Sequence, residues 1–446
     1  MHPLVTHAKL GGIFAYRHGA AVSVAQYLAD VDECVKRLPQ ARYVLLACQD
    51  RYAFAVGFGA ALLRGQSCLL PSTHTQELIA KLASTHDGLY CLTDEHNCGI
   101  QLPQINIENW LLQALPISTP AIPMISSDHV AAYVFTSGST GLPMAHRKTW
   151  GRLVVNVKSE GQRLGIVPGS GYTVIGTVPP QHMYGFESTV LIAMQNAASF
   201  ESSKPFYPAD IEHLLRDTPR PRALITTPFH LRALLTAVAT PSKIDLLVCA
   251  TAPLSVDLAK LAEEKTKARL LEIYGSTETG QLATRRTTQT SEWRTFDGIQ
   301  IHMVENTSFA SGDQIEGIVP INDVLELKNE CVFILHGRTV DMVNIAGKST
   351  TLAYLNHELL SIPGVDDGVF FVQNQDTEGV GNTARLALVA VAPEHSVETL
   401  LAALRQKIAP AFLPRPLKLV SEMPRNSTGK LPHEALLRLI QRPLDE

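Results

Sequence analysis

Short apolar runs alternate along the chain with longer stretches in which apolar residues return every three or four positions. The runs 42–48 (RYVLLAC), 133–135 (YVF), 172–178 (YTVIGTV), 222–227 (RALITT), 245–250 (DLLVCA) and 269–274 (RLLEIY) are short and rich in branched side chains. That pattern predicts strands buried on both faces. Between them, 23–38 places Val24, Leu28, Val31, Val35 and Leu38 on one helical stripe, and 255–268 reads the same way. Strands separated by amphipathic helices pair in parallel, because the helix is the crossover that returns the chain to the same sheet edge. An α/β fold of mainly parallel, helix-covered sheets is therefore expected for most of the chain.

The pattern changes after 336–350 (HGRTVDMVNIAGKST). A helix (352–362), two strands (368–373 and 385–392), a second helix (396–408), an extended stretch at 414–420 and a last helix follow in about a hundred residues, the size of a small α+β domain. The expected division is a large domain over 1–338 and a small C-terminal domain over 339–446.

With 446 residues and 45% hydrophobic content, the chain exceeds one ordinary domain. A net charge of −4 without a long basic run argues against bulk-charge binding to nucleic acid or an anionic membrane. The seven cysteines are scattered, without a CxxC pair, and read as reduced thiols. The first residues lack the apolar core of a signal peptide, and no apolar run is long enough to span a bilayer. A soluble cytoplasmic protein is expected.

Three segments carry chemistry. The strand ending at Phe135 runs into Thr136, Ser137, Gly138, Ser139, Thr140 and Gly141, whose hydroxyls and closely spaced backbone N–H groups suit an anion; a plain turn is the alternative. The strand 269–274 runs into Tyr274, Gly275, Ser276, Thr277 and Glu278: an aromatic face, hydroxyls and one carboxylate, able to stack a base, contact phosphate and ligate a hard cation. The alternative there is a helix cap at Ser276 or Thr277, with Glu278 near the helix dipole. Near the C-terminus, PRNSTGKLP presents Lys430. Two other phosphate-loop leads fail. GKST at 347–350 has Met342 where a P-loop needs glycine, and TGK at 428–430 is followed by Leu431 instead of a hydroxyl residue.

Taken in order and spacing, these segments resemble those of the adenylate-forming superfamily of acyl-CoA synthetases, peptide-synthetase adenylation domains and luciferases. The resemblance implies that Thr136, Ser137, Gly138, Ser139, Thr140 and Gly141 wrap the β- and γ-phosphates of ATP. It implies that Tyr274 lies on adenine with Gly275 and Ser276 beside it, that Thr277 contacts the α-phosphate, and that Glu278 ligates Mg2+. Asp323 (in PINDVLEL) and Arg338 would hold the ribose. Lys430 would supply charge where the carboxylate meets the α-phosphate, a role that suits a compact ammonium on a flexible stem. Rotation of the small domain would then exchange Lys430 for the NIAGKS surface, with Gly347 and Lys348, for the thioester half-reaction. PPQHMYGFE and CATAPLS resemble the segments lining the acid pocket, giving His182, Met183, Tyr184, Gly185, Thr251, Ala252 and Pro253 as pocket residues.

The sequence also departs from that pattern. Met144 stands where the phosphate loop usually has lysine, with Lys148 as a candidate substitute. Val340 replaces the usual charged hinge residue, Ile-Asn precedes Asp323 where Thr-Gly is usual, and Thr251 replaces a glycine. Threonine at 251 either shortens the pocket in favour of a small aryl acid or only packs the strand end. The compact length resembles the aryl- and acyl-acid ligases of aryl-polyene-type bacterial clusters. This implies a hydroxybenzoate-like or fatty acid substrate, and a phosphopantetheine thiol on CoA or a carrier protein as acceptor. A basic stretch from Arg405 to Arg442 could dock an acidic carrier, or could be a solvated face balanced by Glu398, Glu422 and Glu434. The reading from a different class is a degenerate ATP- or adenylate-binding sensor or assembly protein. Met144 and Val340 favour it; Lys430, Glu278 and Arg338 oppose it.

Overall fold

The computed structural model describes residues 1–113, 121–136, 144–305, 307–338, 342–345, 348–373, 386–425 and 431–441. The chain forms two compact units. The first takes up Met1–Val304, Phe309–Pro320 and Lys328–Val332; the second takes up Glu305–Ser308, Ile321–Leu327 and Phe333–Glu446. The expected boundary at Arg338 falls inside the second unit.

Two large sheets organise the first unit. In one, Ser67–Leu70, Tyr43–Leu46, Tyr90–Thr93 and Gln104–Asn106 lie side by side in parallel. Strand β1 (Val130–Thr136) joins them in parallel, and β2 (Met144–Thr149) closes the edge antiparallel to β1. Helix α1 (Trp150–Leu164) follows β2 at once and ends at Gly165 in a left-handed cap. In the larger sheet, Thr173–Gly176, β3 (Arg222–Thr226), β4 (Leu246–Cys249) and β5 (Arg269–Ser276) run parallel, as the apolar runs predict. Strand β6 (Gly280–Arg285) then turns back antiparallel to β5.

The layers follow from the two-residue period of a strand. Val44, Leu46, Cys68 and Leu70 of the smaller sheet and Ala223, Ile225, Leu246 and Val248 of the larger one enter a shared core. Leu45, Leu69 and Cys91 face a separate cluster with Leu78, Ile79 and Leu82. Leu224, Leu247, Cys249 and Leu270 face another with Leu231, Leu234, Leu258 and Ala262. The helices Val24–Arg37, Arg51–Leu63 and α1 pack their apolar side chains into the shared core. The middle helix, RYAFAVGFGAALL, is apolar around its whole circumference and is buried along nearly all its length. Phe54 and Phe58 are both fully buried in it, each contributing about 1.5–3 kcal/mol by leaving water.

The second unit repeats the logic on a smaller scale. Asp367–Val372 pairs antiparallel with Leu386–Val391, which pairs in parallel with Leu417–Leu419. Phe370, Leu388 and Ala390 pack against Leu355, Leu359, Leu400 and Leu404, while Phe371, Ala387 and Val389 pack against Leu436 and Met423. Helix Val397–Lys407 starts in a reciprocal cap between Ser396 and Thr399.

Candidate active site

The C-terminal ends of parallel strands are where α/β sheets expose backbone and loop groups to a ligand. Strand β5 ends at Ser276, and residues 277–279 make a tight turn into β6. The helix-cap reading of Ser276 and Thr277 is thereby overturned: the segment is a β-hairpin, and Glu278 sits in its turn. Ser276 and Thr279 close the turn, with Ser276 N donating to Thr279 Oγ1 at 3.1 Å and Thr279 N to Ser276 Oγ at 3.3 Å. Gly280 takes φ +73°, the left-handed position that closes a three-residue hairpin turn and strains any side chain.

Glu278 is half-buried. Burial pushes its carboxyl up, but hydrogen bonds from its own N–H and Ser276, with the charges of His146 and Lys148, hold it below the usual glutamate value. Two side chains from β2 create that setting. Residues 144, 146 and 148 share one face of the strand. His146 Nε2 lies 3.7 Å from Glu278 Oε1 and within hydrogen-bond distance, 2.9 Å, of Thr136 Oγ1. Burial and the charge of Lys148 lower the His146 imidazole, against the pull of the Glu278 carboxylate that raises it. Lys148 is 5% exposed and donates through Nζ to the backbone carbonyl of Glu278 at 2.9 Å. The structure thus gives Lys148 a bond to the turn, while Met144 at the strand's start is exposed.

Thr136, the last described residue before 137–143, and Glu278, in the turn that leaves the other sheet, meet across His146. Ser137, Gly138, Ser139, Thr140 and Gly141 lie outside the described residues, as do Gly347 and Lys430. Lys348 is described only as backbone, in the strand Lys348–Thr351. Tyr274, on β5, lies with its ring 5.6 Å from that of Trp293. Asp323 and Arg338 lie in the second unit, at the start and end of the strands Asp323–Asn329 and Val332–Arg338.

The segment expected to line the acid pocket is tightly built. Gly185 has no room for a side chain, since a Cβ there would lie 2.1 Å from the Pro179 carbonyl oxygen. Tyr184 is 6% exposed, and its hydroxyl lies 3.2 Å from the Thr226 carbonyl and 3.0 Å from that of Val248, which ties this segment to the ends of β3 and β4. Met183 is buried. His182 is half-buried and receives the Tyr184 N–H on Nδ1. Thr251 adopts φ +79°, a genuine outlier for a β-branched residue and the conformation a glycine would take without cost. Ala252 and Pro253 are exposed beside it. The loop is tethered by Leu254 N to Glu272 Oε1 at 3.2 Å, and Glu272 is in turn paired with Arg285.

Sequence reasoning missed Arg51. It is fully buried and donates to the carbonyls of Gly176, Val178, Glu201 and Ser203 and to Thr189 Oγ1. Two of those carbonyls lie on the approach to Pro179–His182. Burial lowers its guanidinium to about 10, yet leaves it charged at neutral pH. A charged residue heading an otherwise apolar helix was its only signal. Glu160 and Glu187 were missed as well. Both are buried, and burial raises each carboxyl to about 8. Glu160 sits in the apolar stripe of α1 with Leu153, Val157 and Leu164, the one sequence feature that marks it.

One carboxylate held low, hydroxyls beside it and a turn at a strand end are donors of the hard-oxygen type that suits Mg2+ bridged to phosphate. The donor set therefore fits a magnesium–nucleotide complex. Among the described residues no group of three or more His, Cys, Asp or Glu is placed to hold a metal by itself, so phosphate would have to complete the ligand set. In the basic C-terminal stretch, Lys407 pairs with Glu358, Arg425 with Asp367 and Arg438 with Glu434.

The AMP-binding enzyme family profile matches residues 15–309. A 4-coumarate–CoA ligase of Rhodobacter capsulatus is 28% identical over 243 residues, a match covering 54% of this chain and 60% of that protein's length. The ATP-bound structure of MatB from Rhodopseudomonas palustris superposes with a TM-score of 0.80 at 16% identity, over 98% of this chain and 97% of that one. The o-succinylbenzoate CoA synthetase of Bacillus subtilis, in complex with its acyl-adenylate intermediate, superposes at 0.77 with 19% identity over 97% and 96% of the two chains. The same synthetase has been solved with ATP and magnesium. At such identities the superpositions establish the shared fold. With a family match running from residue 15 to residue 309, this chain belongs to the AMP-binding enzyme family.

Proposed function

We propose that this chain is an acid–thiol ligase, which joins a carboxylic acid to CoA or a carrier-bound phosphopantetheine through an acyl-AMP. The observation that carries the reading is the meeting of Thr136, which directly precedes the Ser/Thr/Gly segment in sequence, with Glu278, in the turn after β5, across His146. A strand end that presents hydroxyls and a single carboxylate suits a nucleotide triphosphate whose own oxygens complete the metal's ligands.

In the first step a carboxylate oxygen of the acid attacks the α-phosphorus and pyrophosphate leaves. Both partners are anions, so the barrier is lowered by holding them in line and screening their charge. Thr136 and residues 137–141 would hold the β- and γ-phosphates, Thr277 the α-phosphate, and Tyr274 the base, with Asp323 and Arg338 on the ribose. Glu278 would hold Mg2+, which when bound screens the phosphate charge. Lys430 would meet the developing charge at the α-phosphate. In the second step the thiol sulfur attacks the acyl carbonyl, AMP leaves, and the thiol proton passes to solvent; Gly347 and Lys348 belong to this step. The 4-coumarate, malonate and o-succinylbenzoate activities of similar proteins favour CoA as the acceptor, and an aryl or short-chain acid over a long fatty acid. The internal pairing of Lys407, Arg425 and Arg438 weakens the case for a carrier-docking face.

ATP–pyrophosphate exchange across a panel of hydroxybenzoates, cinnamates, dicarboxylates and fatty acids tests this. Exchange that depends on one acid class, followed by thioester formation on CoA or a holo carrier protein, is the expected result. ATP binding without exchange for any acid would leave the sensor reading standing.

A further inference from the structure

Beneath the 277–279 turn lies a cavity of about 10 Å3, lined among others by Lys148, Asn156, Glu187, Gly280, Gln314 and Glu316. That is room for a single water. Among its lining residues, Glu187, Asn156 and Gln314 each have a buried acceptor oxygen without a hydrogen-bond partner, Glu187 Oε2, Asn156 Oδ1 and Gln314 Oε1. Lys148, on the same cavity, has donors to spare. Its ammonium carries three N–H groups, and the bond to the Glu278 carbonyl uses one. The floor of the turn is fixed too: a Cβ on Gly280 would come to 3.0 Å from Glu187 Oε1 and 3.3 Å from Asn156 Nδ2.

We propose that Lys148 is a positioning residue, holding the turn from beneath by its bond to the Glu278 carbonyl and anchored in place by a cavity water shared with Glu187. The inference rests on the reading of Glu278 as the metal–phosphate residue. It goes beyond that reading by naming what aims the carboxylate. A lysine on a strand, bonded to the turn's carbonyl and sharing a cavity with a buried acid, narrows the geometries the turn can adopt. Without it, the tip would rest on Ser276, Thr279 and the His146 contact, and Glu278 would sample orientations that do not face a nucleotide.

The test is calorimetric binding of ATP to the full chain at stepped Mg2+ concentrations, without acid or thiol, beside the thermal midpoint of each variant. Lys148→Met is expected to raise the Mg2+ concentration needed for ATP binding about tenfold, the loss of one charge-assisted hydrogen bond. Its binding of ATP in EDTA should be unchanged. Lys148→Arg, which keeps a donor, should recover most of the shift. Glu187→Met keeps the Lys148 bond but removes the anchor, and should move the Mg2+ dependence the same way by a smaller factor; it also covers the case in which Lys148→Met fails to fold. If the variants lower the thermal midpoint while the Mg2+ dependence stays at the wild-type value, Lys148 is structural only and the proposal is overturned. If wild-type protein binds ATP with no Mg2+ dependence, the metal reading of Glu278 fails and takes this inference with it.

Discussion

Glu160 offers a quantitative test of how the interior between the two sheets is built. It lies on α1, fully buried, and neither carboxyl oxygen has a hydrogen-bond partner. Burial raises its carboxyl from 4.5 to about 8, with Ser188 and Gln281 nearby opposing the shift in part. The folded state therefore keeps Glu160 neutral at a pH where the unfolded chain ionises it. The sign follows: the raised value contributes stability that is complete below pH 4.5 and lost as pH climbs from there toward 8. At pH 7 the loss covers about two and a half pH units at about 1.4 kcal/mol each, or roughly 3.5 kcal/mol, most of it above pH 5. Glu160→Gln keeps the shape, never ionises, and adds N–H donors beside the orphaned Gln281 Oε1. Urea unfolding followed by fluorescence of the buried Trp150 and Trp293 should show the two proteins close in stability near pH 5. By pH 7 the variant should be more stable by about 3 kcal/mol. Equal pH slopes for the two proteins, or a variant less stable at pH 7 than at pH 5 by as much as the wild type, would refute the claim that Glu160 is buried uncharged.

Other perturbations probe separate parts of the structure. Thr251→Gly should raise stability by about 1 kcal/mol, because glycine takes φ +79° without the strain a β-branched residue pays; thermal denaturation reads it, and a loss of stability would show that the threonine side chain holds the loop. Arg51→Met should cost about 3–5 kcal/mol, since it leaves four carbonyls without their donor in the core, and acid binding should weaken with it as the Pro179–His182 approach loosens. His230 is buried, with its imidazole pushed down to about 4. Its folded state resists protonation, so stability is lost as pH falls from 6.5 toward 4, and His230→Asn should flatten the acid limb of the stability profile. Glu278→Gln should raise the Mg2+ requirement of adenylation, since an amide is a poorer ligand for a hard cation, and an unchanged requirement would leave Glu278 a turn residue alone.

Much of the framework was legible in the sequence because it is repetitive. Apolar runs such as RALIT and LLVC became the parallel strands β3 and β4, and the stripe from Val24 became the helix Val24–Arg37. In the small unit, alternation along Phe370–Phe371 and Leu386–Ala390 divides the side chains between two clusters. Non-local pairing was not legible. YGSTETG carries cap residues and an acid in helix-cap order, yet β6 returns beside β5, and only the tertiary partner makes the segment a hairpin. Lys148 read as a substitute for the lysine missing at 144. Its commitment to the Glu278 carbonyl depends on two sheets meeting across 130 residues of sequence. Arg51, Glu160 and Glu187 are ordinary charged letters in one dimension, and their burial is decided by what packs over them.

The central claim is that an acid is activated as its adenylate, and the fate of a carboxylate oxygen tests it most directly. The acid that supports pyrophosphate exchange is labelled with 18O in its carboxyl group and turned over with ATP, Mg2+ and thiol, and the AMP released is weighed by mass spectrometry. An acyl-AMP route carries one carboxylate oxygen onto the α-phosphorus, and cleavage at the carbonyl by the thiol leaves it there, so AMP gains one 18O. AMP without label, or label found in inorganic phosphate, would contradict the account.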